Sequence, residues 1–145
     1  MRLSIKTISF TVLMACAATA SSASFFDGNT ALLCSVYQLF ECDPPNGCQS
    51  VKPEQIDGFS HMNIDFKNKL ITRAGGESAQ QSTIERIETK LEGKLIIQGV
   101  EGGEPGTRDG AGWSISILAP EGTMVMSTAA DGFAVVGLGA CVPKP

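Results

Sequence analysis

Residues 112–141, GWSISILAPEGTMVMSTAADGFAVVGLGAC, restrict the fold more than any other stretch of this 145-residue chain. Trp113, Ile115 and Ile117 alternate with Ser114 and Ser116, the period of two that a half-buried strand requires. Pro120-Glu121-Gly122 interrupts with turn chemistry, and the run then resumes with Met124 and Met126 on one face. Asp131-Gly132 marks a second turn. Phe133, Val135, Gly137, Gly139 and Cys141 follow at alternate positions of a third strand. Three consecutive strands with tight turns between them predict an antiparallel meander.

The start of the chain predicts export. Arg2 and Lys6 precede an apolar run at residues 8–18, and small residues follow it to Ser24. This is the order of a secretory signal peptide, and the run is too short to span a bilayer. Ala18-x-Ala20 and Ser21-x-Ala23 both suit cleavage. We therefore divide the chain into a signal peptide, 1–23, and one domain, 24–145. Leu13-Met14-Ala15-Cys16 offers a second reading, lipidation at Cys16. Met14 fits that reading poorly, because such boxes prefer a smaller residue there.

Removal of 1–23 takes two of the eleven basic residues and none of the fifteen acidic ones, so the domain carries a net charge of −6. An acidic domain with scattered Lys and Arg argues against a nucleic-acid footprint. No later stretch has the length and apolarity of a membrane span.

Four cysteines remain, Cys34, Cys42, Cys48 and Cys141. An even number in an exported chain implies two disulfides, with three connectivities open. Asp43-Pro44-Pro45-Asn46-Gly47 already turns the chain between Cys42 and Cys48, so that pair meets easily. Cys34 then joins Cys141, first strand to last. A zinc site is the alternative use, but the spacing lacks paired C-x₂₋₄-C knuckles.

The remaining segments extend the β pattern. Residues 31–42, ALLCSVYQLFEC, read as a strand with Cys34, Val36, Phe40 and Cys42 on one face and Gln38 out of phase. A short helix capped by Asp27 or Asn29 is the alternative. Pro53 confines residues 49–53 to an edge strand or coil. Residues 59–66 and 70–73 form a hairpin around Lys67-Asn68-Lys69. In 82–92, Ser82-x-x-Glu85 resembles a capping box, and Ile84, Ile87 and Leu91 keep helical spacing. We read 83–91 as a strand paired with 94–100 through Glu92-Gly93, because Leu95-Ile96-Ile97 needs a partner. Residues 101–112, EGGEPGTRDGAG, carry five glycines and a proline and form a long surface loop. The sum is an all-β fold, a small antiparallel meander or barrel of about eight strands tied by disulfides.

These features together resemble a group of small exported proteobacterial β-rich proteins without an assigned function. The resemblance rests on Cys34, Glu41-Cys42 and Cys48, on Ile64-Asp65, and on Ile96-Ile97-Gln98-Gly99. It continues through Gly112-Trp113-Ser114 and Gly122-Thr123-Met124 to a Gly-x-Cys ending at Gly139-Ala140-Cys141. It implies no activity. In compartment and architecture the chain is also similar to the periplasmic β-barrel inhibitors of c-type lysozyme. Their Ser-Gly-x-x-Tyr and Trp-x-Lys-Gly signature is not matched, since Tyr37 lies elsewhere and Ser114-Ile115-Ser116 follows Trp113.

The chain offers little for catalysis. His61 is the only histidine, and Asp65 lies four residues on, but no nucleophile elbow accompanies them. The cysteines are expected to be oxidised. Glycines at 75–76 and 102–112 follow neither a Walker nor a dinucleotide-binding pattern. Glu101, Glu104 and Asp109 could supply oxygens to Ca²⁺, but without the EF-hand spacing. We expect no enzyme, no metal and no cofactor.

Two functions follow. The first is a binding module, in one form an inhibitor, that meets a protein or envelope component through Trp113, Glu101, Glu104, Arg108 and Asp109. Trp113 is the anchor in that reading, and otherwise a core residue under Met124 or Met126. The second is a carrier of a small apolar ligand inside the barrel, since eight strands just enclose one. Phe40, Phe66, Ile115 and Phe133 would fill the interior, whereas Gly137 and Gly139 would leave it open.

Overall fold

The computed structural model describes residues 25–144 apart from 57, 76–80, 90 and 102–109. The expected signal peptide at 1–23, Cys16, Glu104, Arg108 and Asp109 therefore lie outside the described residues. Among the described residues nine strands follow in order: β1 Leu32–Asp43, β2 Gly47–Val51, β3 His61–Asp65, β4 Leu70–Arg73 and β5 Gln81–Glu88, then β6 Lys94–Glu101, β7 Ala111–Leu118, β8 Thr123–Ala130 and β9 Phe133–Pro143. A 3₁₀ turn, Pro53–Gln55, follows β2. From β3 onward each strand pairs antiparallel with the next, and β9 returns to β1. The result is a closed barrel of eight strands with β2 as an extra strand. Closure removes the free edges that an open sheet of this length would expose.

The strand β1 makes the closure by serving three partners. One edge lies along β9 for most of its length. The other pairs with β3 through residues 32–35 and with β2 through 39–43. Both disulfides join residues directly opposite each other, Cys34 with Cys141 across β1 and β9, and Cys42 with Cys48 across β1 and β2. The first lies inside the barrel, its Cys141 sulfur 3.6 Å from Met124 Sδ.

A β-bulge at Tyr37 corrects the expected face of β1. Val36 pairs with Gly139 and Gln38 with Leu138, so Tyr37 is extra and stands 68% exposed. The bulge shifts the alternation by one residue. Leu32, Cys34 and Val36 point inward before it and Leu39 after it, while Phe40 moves to the outer face opposite Val136. Gln38 was out of phase for this reason. A second bulge, at Glu85 in β5, lets Ile87 follow Ile84 into the core.

The helical alternatives fail at both places. Residues 82–88 are strand, and β5 ends at Glu88, short of the expected Leu91. Asp27 does accept backbone hydrogen bonds from Asn29 (2.8 Å) and Thr30 (3.0 Å), but the turn leads into β1. Those bonds, Asn29 first, hold its carboxyl below the usual aspartate range. The same device closes two hairpins. Asp43 accepts from the backbone and side chain of Asn46, and Asp65 from those of Asn68. A residue of positive φ follows each, Gly47 and Lys69.

The two ends of the barrel differ. At one, residues 25–31 cross the opening. Phe26, 8% exposed, lies against Gly122, and Gly28 lies beneath Ile87 and Thr89. Leu32, Ile64, Phe66, Leu95, Ile117 and Met124 fill the interior behind this plug. Each such buried side chain contributes about 1.5–3 kcal/mol. Gly139 and Gly137 do not leave the expected gaps, because Met124 and Met126 cover them. At the other end the filling is incomplete. Phe40 faces outward and Phe133 sits at the rim, 42% exposed, so two of the four bulky residues that would have filled the interior lie outside the core.

Candidate functional site: an apolar cavity at the open end of the barrel

The space left unfilled is a cavity of about 280 Å³. Its walls come from Leu39, Met62, Ile71, Ile115, Met126 and Val135 on the inward faces of six strands. Ile56 and Phe59 from the β2–β3 connection close one side, and Arg73 holds that segment. Its guanidinium lies 5.3 Å from the Phe59 ring centre and donates a 3.4 Å hydrogen bond to the Gly58 carbonyl. Phe133 and Thr128 form the rim beside the β8–β9 turn.

Trp113 belongs to this wall. It is 9% exposed, so the reading of a core residue at the start of a strand holds. The indole lies across β6 at Gly99, its register partner, where any Cβ would collide with the ring and with the Thr83 carbonyl. The missing side chain lets Trp113 reach from β7 over β6 to β5. There Nε1–H donates a 2.6 Å hydrogen bond to Ser82 Oγ. Ser82, 8% exposed, is the one buried polar or charged side chain among the described residues, and it lines the cavity too. Sequence reasoning missed both Gly99 and Ser82. A strand glycine opposite a tryptophan was the available signal, but only with the register known.

Of the proposed binding residues, the structure places Glu101 and Trp113 together at this end. Glu101 is exposed at the mouth. Glu101 ends β6 and Ala111 begins β7, and both line the cavity. The catalytic constellation sketched from sequence does not assemble. His61 is exposed at the start of β3, and the Asp65 carboxylate is occupied by Asn68. Those bonds from Asn68, the backbone one first, hold Asp65 below the usual aspartate range. Among the described residues no group of three or more His, Cys, Asp or Glu side chains is placed to hold a metal ion. Among them, too, no helix is long and apolar enough to cross a membrane.

Comparison with family models, with curated proteins and with solved structures finds no match to this chain.

Proposed function

We propose that this chain is an exported, non-catalytic β-barrel that holds one small apolar molecule in the cavity beside Trp113. The carrying observation is the asymmetry of the barrel. One end is plugged by Phe26 and densely filled, and the other keeps an open, mostly apolar space of about 280 Å³. An apolar cavity of about 150 Å³ is enough to take up benzene. The space here therefore suits a bicyclic hydrocarbon or an alkyl chain of about eight to ten carbons.

Burial of Trp113 supports the cavity over the rim as the binding surface, since an anchor for a protein or envelope partner needs its indole outside. Export is part of the same proposal. The leader at 1–23 points to the secretory route, and two disulfides suit a periplasmic or extracellular compartment.

Titration calorimetry with indane, a rigid bicyclic hydrocarbon, tests the reading. Wild-type protein should bind it with a dissociation constant below about 1 mM and a negative heat-capacity change. Val135→Phe, which adds a ring inside the cavity, should abolish binding while the far-ultraviolet circular dichroism stays that of the wild type. Absence of binding to the wild type, or equal binding to both, contradicts the proposal.

A further inference from the structure

The cavity is not uniformly apolar, and among the described residues its one buried polar side chain, Ser82, is incompletely used. The Ser82 hydroxyl carries one donor hydrogen and two acceptor lone pairs. Trp113 Nε1–H takes one lone pair, and this is the only hydrogen bond of the Ser82 side chain among the described residues. The donor hydrogen has no acceptor among them. A buried donor left unmade is unfavourable by a margin comparable to a full hydrogen bond. The indole fixes which side of the oxygen is occupied, and the hydroxyl hydrogen is left to turn toward the cavity that Ser82 lines.

We infer that the ligand is an apolar molecule carrying an uncharged hydrogen-bond acceptor, a carbonyl, ester or ether oxygen, that accepts from Ser82 Oγ–H. This inference rests on the cavity being the binding site. An anion fits poorly. A carboxylate here would meet one donor inside apolar walls, a large desolvation penalty with little return, and Glu101 adds a negative charge at the mouth. A simple hydrocarbon fills the space and leaves Ser82 as it is. Discrimination then comes from the oxygen, because a site built to hydrogen-bond one group rejects the analogue that lacks it.

The pair 1-indanone and indane, alike in shape and differing by one carbonyl, tests this by calorimetry. Ser82→Ala alone is ambiguous, because it frees the Trp113 N–H to serve as a substitute donor. The informative variant is Ser82→Ala with Trp113→Phe, which removes both donors. Because both residues line the cavity, indane affinity itself will change, so the readout is the ratio of 1-indanone to indane affinity, which should fall about tenfold from wild type to the double variant. Trp113→Phe alone retains the serine and should keep the wild-type ratio of 1-indanone to indane affinity, whatever it does to both affinities together. Parallel changes for both ligands in the double variant would overturn the inference while leaving the cavity reading intact. Failure of wild-type protein to bind either ligand would instead remove the cavity reading itself. If the double variant does not fold, the carbonyl stretch of 1-indanone bound to the wild type decides. A shift to lower frequency than in hexane is expected, and an unshifted band overturns the inference.

Discussion

At the scale of single residues, the open end of the barrel depends on a bridge of three side-chain positions on three strands. Ser82, Gly99 and Trp113 are far apart in sequence, and only the register of β5, β6 and β7 brings them together. Gly99 is the position with least freedom. A methyl group there meets the Thr83 carbonyl, which is backbone and cannot swing away, as well as the indole. Gly99→Ala should therefore destabilise the domain by about 2–4 kcal/mol, read as a lowered midpoint in chemical denaturation. Alanine at Gly112, where a Cβ meets nothing within 4 Å, is the matched control and should change the midpoint little. The alternation of Trp113 with Ser114 was legible in the sequence, whereas the direction of the indole stood between an anchor at the loop and a core residue. The reason for Gly99 was not legible, because a lone glycine inside a strand pattern does not say which neighbour lies over it.

At the scale of elements, β1 decides how the sheet closes. Its strand character, its cysteine pairing and its place beside the last strand were all readable from residues 31–42 and from the number of cysteines. The phase of its second half was not. A bulge adds a residue without a composition signal of its own, and Gln38 was the trace it left in the pattern. The same limit explains β5, where Ile84 and Ile87 have helical spacing because a bulge at Glu85 separates them. The two disulfides also contribute unequally. Cys34–Cys141 closes a separation of 107 residues and Cys42–Cys48 one of 6. Loop-closure entropy gives about 4.7 kcal/mol for the longer loop and about 2 kcal/mol for the shorter. Replacing Cys34 and Cys141 by alanine should lower the unfolding free energy about twice as much as replacing Cys42 and Cys48. Equal losses in the two variants would contradict that assignment.

At the scale of the whole molecule, the barrel is a tube stoppered at one end. Class, approximate strand number and disulfide framework follow from alternation, turn chemistry and cysteine parity, which are local properties. The cavity is a difference between enclosed space and side-chain volume. It depends on Phe40 turning outward, Phe133 stopping at the rim, and Met124 and Met126 covering Gly139 and Gly137. None of these is a local property, so the interior could not be judged full or empty from sequence. The methionines now provide the sharpest test of the central claim, that a small apolar molecule occupies the open half of the barrel. Residues 24–145 contain three of them. Met62 and Met126 line the cavity, whereas Met124 is fully buried against Cys141 outside it. With ¹³C-labelled methionine methyl groups, titration with indane should move the Met62 and Met126 resonances and leave Met124 in place. Three unmoved resonances, or movement of Met124 alone, would contradict it.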